Sequence, residues 1–202
     1  MSRLNEDYYV LERPSNSSIP LLKADKDTSS KKYWSLDYQF DGRPLVFSNK
    51  KKKKNLEVGV VEHIASILFT PDAVVVSEEI NDILSNFDID GIDLIPAIYI
   101  ANDGSWHEEY SYVKIKNEFD FWCRNASEYN PEPRSSTGWH YVYKYVLDAD
   151  LVERVPLESR LLFNMGGVSM PVICLHSSLV EEITKNTNAM SDFFIPLSEY
   201  EG

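Results

Sequence analysis

Residues 73–100, AVVVSEEINDILSNFDIDGIDLIPAIYI, form the most regular pattern in this chain of 202 residues. The runs AVVV and IDLIPAIYI are rich in apolar and β-branched residues, which is typical of strands. Ser77 stands where a helix N-cap is expected, and the two acids after it favour the helix dipole. The residues between the strands repeat with the spacing of one apolar helix face: Ile80, Ile83, Leu84 and Phe87. The stretch therefore predicts a strand, a helix and a second strand.

A similar unit recurs in residues 171–186, where PVICL predicts a strand and SLVEEITKN a helix. Ser178 and Glu181 have the spacing of a capping box. Further strands are predicted at residues 7–11, 44–49, 108–117 and 139–148. Because these elements show no regular βαβ alternation, they predict an α+β fold with mixed or antiparallel sheets and two to four helices packed against them. We expect one domain over residues 1–202, and a polar loop near 125–138 is where two lobes would divide.

The composition predicts a soluble, acidic, cytoplasmic protein. The formal net charge is −12, and the hydrophobic share of 43% is enough for a core and too high for a disordered chain. No apolar run near the start is long enough for a signal peptide, and none in the chain is long enough to span a bilayer, so we expect no membrane partner. Cys123 and Cys174 lie in apolar surroundings without metal-ligand spacing, which predicts reduced, buried thiols.

Five consecutive lysines, residues 50–54, interrupt this acidic sequence. The run is typical of a solvated loop in a hairpin, with partner contact and nucleic-acid binding as alternatives. We expect no nucleic-acid partner and no functional need for the lysines, because without them the rest of the chain carries −17 and repels phosphates. The residues that follow, 58–69, have helical spacing at some apolar positions, although their β-branched content also allows a strand. Those positions are Val61, Ile64, Ala65 and Leu68.

The motifs that carry chemistry are weak. DIDGID, residues 88–93, resembles a calcium loop, but the register that places Gly91 sixth puts Ala97 where a bidentate glutamate is needed. Cys174 and His176 are two positions apart and would share a strand face, which leaves a small thiol enzyme as an alternative; a buried structural cysteine is the preferred interpretation. The sequence therefore predicts no catalytic residue, no metal site and no cofactor.

Surface character is the remaining indication of function. Residues 78–93 contain six acids and no Lys or Arg, and such a surface attracts a basic partner and speeds encounter. Aromatic residues follow along the chain, and aromatics are favoured anchors of interfaces. The residues predicted to bind a partner are Glu78, Glu79, Asp82, Asp88, Asp90, Asp93, Trp106, Glu108 and Glu109. Solubility alone would also explain the acids, and a regulatory or scaffold protein of unknown partner is a further alternative.

Four stretches resemble bacterial immunity proteins of polymorphic-toxin systems: YYVL near the start, VVVSEEINDIL, IDLIPAIYI, and RLLFNMGG with VICLHSSLVEEI near the end. The families numbered eleven and forty-three are the most similar, and the forty-third is preferred. The resemblance covers about residues 7–200 and has no counterpart for the lysine run. It implies a non-enzymatic antitoxin that binds and occludes a cognate secreted toxin domain in the cytoplasm, and it transfers no catalytic residue.

Overall fold

Short strands and short helices make up this protein, whose computed structural model describes residues 3–15, 18–134 and 138–202. The strands are β1 Tyr8–Leu11, β2 Leu22–Ala24, β3 Leu45–Asn49, β4 Ile67–Phe69, β5 Val74–Ser77, β6 Ile92–Ile100, β7 Trp106–Ile115, β8 Glu118–Phe119, β9 Glu128–Tyr129, β10 Val142–Lys144, β11 Leu162–Met165, β12 Ile173–His176 and β13 Phe194–Pro196. The helices are α1 Lys26–Ser30, α2 Lys52–Glu57, α3 Glu78–Asn86, α4 Ala149–Glu153, α5 Leu157–Arg160 and α6 Ser177–Asn186, with 3-10 turns at Arg3–Asp7 and Ser191–Phe193.

Six strands form a sheet that nearly closes into a barrel, in the order β2-β3-β6-β7-β5-β4. Leu21, just before β2, bridges Phe69 of β4 in parallel, which brings the first and last strands together. A closed sheet leaves no exposed strand edge along that seam. We call the end of this barrel at which β3 and β6 finish and β7 begins the upper end, and the opposite end the lower end.

Five further strands form a second sheet in the order β13-β1-β12-β11-β8. β1 lies between two strands from the far end of the sequence, with Val10 opposite Cys174 on one side and Ile195 on the other. Side chains alternate across this sheet. Leu11 and Leu175 belong to the apolar cluster of the barrel, whereas Val10 and Cys174 belong to a second cluster on the other face. The sheet is therefore buried on both faces. A separate ribbon pairs β9 with β10.

Helices α3 and α6 join the two sheets. α3 packs on β5 and β7, α6 packs on β1 and β12, and the two helices contact each other. Ile80 and Leu84 of α3 and Leu179 and Ile183 of α6 are buried in the same apolar cluster. The predicted strand–helix units at residues 73–87 and 171–186 are thus confirmed as elements, and their apolar stripes are what hold the barrel to the second sheet.

The predicted fold class, α+β with two to four helices packed against the sheets, is wrong. The described residues contain thirteen strands in three sheets, one of them nearly closed, and six short helices. Four of the helices are only four to six residues long, too short to show a repeating apolar stripe. Two of them are begun by a side-chain cap instead: Asp25 Oδ1 accepts from the Thr28 amide at 2.7 Å, and Asp148 Oδ1 from the Asp150 amide at 3.1 Å.

Several local predictions also need correction. The lysine run is not a loop, because its last three lysines begin α2. Residues 58–69 are not a helix: only Ile67–Phe69 is regular, and it is a strand. Residues 139–148 contain just the short strand β10. The N-cap of α6 is His176, whose Nδ1 accepts from the Ser178 amide at 3.2 Å, rather than Ser178. Of the loop at 125–138, residues 135–137 lie outside the described part of the chain.

Candidate partner-binding surface

Helix α3 presents its acids to solvent, as its apolar spacing predicts. Ile80 and Leu84 are buried, while Glu78, Glu79 and Asp82 are exposed. Ser77 occupies the N-cap position in extended conformation, but its hydroxyl makes no capping hydrogen bond. The start of the helix is thus stabilised by its two first-turn carboxylates near the helix dipole.

The nine residues predicted to bind a partner do not form one patch. Ser77 of β5 lies opposite Tyr110, in the middle of β7, whereas Trp106 lies opposite Ile100 at the upper end, so α3 begins about halfway along β7. α3 then runs toward the lower end, where β6 begins. Trp106, Glu108 and Glu109 therefore lie at or near the upper end, and Glu78, Glu79 and Asp82 lie on α3, between the two ends. The remaining three, Asp88, Asp90 and Asp93, lie at the lower end.

Two of the three acids at the lower end already have partners within the chain. Asp93 Oδ1 lies 2.6 Å from Lys116 Nζ. Asp90 Oδ2 accepts from the Ser159 hydroxyl at 3.0 Å. Asp88 is exposed. The loop of residues 88–93 thus makes internal contacts that join α3 to the region of α5, and these contacts give Asp90 and Asp93 structural roles.

At the upper end, the first residues of β7 surround a partly exposed histidine. His107 Nδ1 lies 3.3 Å from Glu109 Oε1, and its ring stacks on Tyr99 with centroids 6.0 Å apart. Trp106 is 60% exposed, a large fraction for a tryptophan. Glu108 is exposed beside it. An uncovered aromatic ring bordered by carboxylates can contact an apolar or cationic group of a partner.

Residues 58–64, which we call the cap, cross the upper end of the barrel. Glu62 turns inward there and accepts three hydrogen bonds: from Asn49 Nδ2 at 2.9 Å, from the Asn102 amide at 2.8 Å, and from the Tyr99 hydroxyl. Burial and the Glu62 carboxylate raise the pKa of Tyr99 far above its ordinary value, so the phenol remains a donor. The Glu62 carboxylate thus connects β3, β6 and the turn that follows β6.

The apolar side chains of the cap point outward. Val58 is 64% exposed and Val61 84%, and Leu56, at the end of α2, is 60% exposed. Val60 and Ile64 are also exposed. The sequence showed helical spacing at Val61 and Ile64, together with Ala65 and Leu68, but left helix or strand open for 58–69, and it did not indicate this surface. The signal available in the sequence was a single acid within VGVVEHI, which is separated from the five lysines by three residues.

A family-model comparison matches residues 2–188 to the immunity protein family Imm11. The chain belongs to the Imm11 immunity protein family. The resemblance to immunity proteins of toxin systems is thereby confirmed, and the match supports the family numbered eleven; it gives no support to the preference for the forty-third. A search of curated proteins finds no match. Membership of Imm11 indicates an antitoxin role through binding a cognate toxin, and implies an inhibitor rather than an enzyme.

The cysteine and histidine that the sequence offers as an enzyme site in this Imm11 protein are poorly placed for catalysis. Cys174 is fully buried, and burial raises the pKa of its thiol far above the ordinary value, which suppresses the reactive thiolate. His176 Nδ1 lies 2.9 Å from the Ser178 hydroxyl, at the cap of α6. Burial also lowers the pKa of His176. Both residues thus have structural surroundings.

We expect Cys174 to resist thiol reagents in the folded protein. The variant Cys123→Ser leaves Cys174 as the sole cysteine, since the chain has two. Labelling by a maleimide, followed by mass, should be slow in buffer and should reach completion only when urea unfolds the chain, because reaction requires opening of the second apolar cluster. Cys123→Ser labelled in buffer at the rate of a short cysteine peptide would contradict this prediction.

Within residues 3–15, 18–134 and 138–202, no three His, Cys, Asp or Glu side chains are grouped so that they could hold a metal ion. In the same ranges, no helix has the length and apolar character needed to cross a membrane.

Proposed function

We propose that this protein is a non-enzymatic antitoxin that binds a cognate secreted toxin domain in the cytoplasm and protects the cell that makes both. The observation that carries the proposal is the match of residues 2–188 to an immunity protein family. We further propose that residues 1–202 act as one unit, a proposal supported by the apolar cluster shared between the barrel and the second sheet.

Occlusion is the proposed mechanism. A surface that matches the toxin in shape covers the toxin's active cleft, and carboxylates around it steer a basic toxin surface into place. If the toxin acts on an anionic substrate such as a nucleic acid, its cleft is basic, and the carboxylates here occupy the positions of phosphates. Inhibition of this kind requires only binding, and so requires no catalytic group on the antitoxin.

The upper end of the barrel is the proposed contact surface. Trp106, Glu108 and Glu109 lie there, and the three exposed acids of α3, which begins about halfway along β7, make no ion pair within the described residues. Asp88, Asp90 and Asp93 lie at the other end, where Asp90 and Asp93 have internal partners. Carboxylates without internal partners remain available to a toxin.

The test of the function is protection from one defined toxin. The toxin domain encoded beside this chain's gene is expressed in a sensitive host, alone and together with this protein, and the two purified proteins are mixed to measure binding. We expect growth to be restored and a stable complex to form. Failure of both rescue and binding would overturn the proposal.

Reversal of three acids on α3 should slow association with that toxin domain. Glu78→Lys, Glu79→Lys and Asp82→Lys replace exposed side chains, so the fold should persist, and the on-rate at low ionic strength should fall by about tenfold or more because steering depends on surface charge. The matched control reverses three exposed acids of α4 and α5: Asp150→Lys, Glu153→Lys and Glu158→Lys.

Stopped-flow binding over a range of salt concentrations distinguishes the two triple variants. The control carries the same change in net charge, so equal slowing of both variants would show a general charge effect. An unchanged on-rate for the α3 variant would show that its acids serve only solubility.

A further inference from the structure

The cap reverses the usual orientation of side chains in a surface segment. Acids normally face solvent and large apolar side chains normally face the interior. Here Glu62 points into the protein, where it accepts three hydrogen bonds, and Val58 and Val61, which precede it in the chain, point outward. Exposed apolar side chains that are contiguous mark an interaction surface more often than isolated ones do.

Hydrogen bonds hold the cap in one conformation before any partner binds. The Val60 amide donates to the Asn55 carbonyl at 2.9 Å, and the His63 amide donates to the Ser18 carbonyl at 3.2 Å. At the end of the segment, the Ala65 carbonyl accepts from the Tyr110 hydroxyl at 2.8 Å. A surface that is already ordered loses little conformational entropy on binding, which favours affinity.

A groove of about 460 Å³ separates the cap from the turn at residues 101–103. Four apolar side chains line one side, and the Asn102 side-chain oxygen beside them is buried without a hydrogen-bond partner among the described residues. A groove of this kind can receive one large apolar side chain. The four apolar residues are Leu56, Val60, Val61 and Ile64.

The groove has positive charge on one side. Leu56 lies three and four positions after Lys53 and Lys52 in α2, so the three side chains share one face of the helix. None of the lysines at 50–54 forms an ion pair within the described residues. Their charge is thus available to carboxylates of a partner that occupies the groove.

We infer that the cap and α2 form the anchor of the toxin interface, and that they receive an apolar side chain from a toxin surface whose carboxylates face the lysines. This inference rests on the proposed function and adds to it the chemistry of the partner at this site. It replaces the expectation from the sequence that the lysines have no functional need. A protein partner is favoured over an anionic membrane or a nucleic acid because the rest of the chain carries −17, which repels extended anionic surfaces but not a local carboxylate.

The first test removes the apolar anchor. Leu56→Ser with Val61→Ser changes two exposed side chains, and the Kd for the toxin domain encoded beside this chain's gene should rise about tenfold or more, mainly through faster dissociation. The matched control is Leu36→Ser with Met170→Ser, which removes side chains of 68% and 53% exposure away from the upper end and should leave the Kd unchanged. Thermal unfolding should be near the wild type for both.

The second test reverses the adjacent charge. Lys52→Glu with Lys53→Glu should weaken binding several-fold and change its dependence on salt, because carboxylates across the interface would then be repelled. The control, Lys23→Glu with Lys26→Glu, changes two other exposed lysines and should have little effect. If the Lys52/Lys53 variant binds the toxin domain as tightly as the wild type does, the toxin surface does not carry the inferred carboxylates at this site.

Each outcome has a separate meaning. If the wild-type protein neither binds nor protects, the proposed function fails. If the wild type binds and protects, and the Leu56/Val61 variant has the same Kd, the proposed function stands and the inference is overturned. Two further measurements test other occupants of the groove: sedimentation for a second copy of this chain, and vesicles containing phosphatidylserine for a membrane. If the wild type forms a dimer or binds vesicles, and the Leu56/Val61 variant loses that binding but still binds the toxin, the inference is also overturned.

Discussion

Replacing Glu62 with leucine should lower the free energy of unfolding by about 3–5 kcal/mol, since each donor left without an acceptor costs about 1–3 kcal/mol when buried. Three donors lose their acceptor together: Asn49 Nδ2, the Asn102 amide and the Tyr99 hydroxyl. Glu62 is only partly buried, so water satisfies some of this loss, which is why the expected cost is below the full sum. The measurement is urea unfolding followed by tryptophan fluorescence.

Tyr99→Phe provides the control for this network. It removes one donor and leaves the carboxylate with its other two, so it should cost only about 1 kcal/mol. Combined with Glu62→Leu it should cost less than it does alone, because the interaction is already lost. Ordinary surface substitutions change the free energy of unfolding by no more than about 0.5 kcal/mol. If Glu62→Leu falls within that range of the wild type, Glu62 does not hold the cap in place.

Phe163→Ala should be as severe, with a loss of about 3–5 kcal/mol, the range for truncating a fully buried aromatic side chain. Phe163 on β11 is 0% exposed and contacts three rings, with centroids 5.8 Å from Tyr8, 5.7 Å from Phe119 and 5.3 Å from Phe121. Alanine would leave a cavity between β1, β8 and β11 that these rings cannot fill without leaving their own contacts.

Phe163→Leu refills part of that cavity and should recover more than half of the lost stability. Tyr143→Ala, which truncates an aromatic residue that is 49% exposed, should change stability by no more than about 0.5 kcal/mol. Equal effects of Phe163→Ala and Tyr143→Ala in urea unfolding would show that the second apolar cluster contributes little to stability.

Elements with a long, regular pattern could be predicted from the sequence. α3 and α6 have nine and ten residues, enough for an apolar stripe to repeat, and β6 and β7 are long enough to alternate. The exposure of the α3 acids followed from the same stripe. The strands of three residues and the one-turn helices could not be predicted this way, because they end before any period repeats.

Features that depend on contacts between residues far apart in the chain also could not be predicted from the sequence. The near closure of the barrel rests on Leu21 meeting Phe69, and no local pattern encodes that contact. The cap is similar: Glu62 turns inward because Asn49 and Tyr99 approach it from β3 and β6. The helical spacing of Val61 and Ile64 gave no sign that both lie on the surface while the carboxylate of Glu62 faces inward. The exposed apolar surface of the cap was therefore not predicted from the sequence.

The position of β1 in the second sheet determines when this strand can pair during synthesis of the chain. Val10 and its partner Cys174 are 164 positions apart. A ribosome adding roughly 5–20 residues per second therefore makes β1 about 8–33 s before its first neighbour exists. During that interval Tyr8 and Val10 have no sheet in which to be buried, and a chaperone can hold them. The second sheet is thus complete only after its last strands leave the ribosome, and a nascent chain stopped before β12 leaves its first strand permanently without a neighbour.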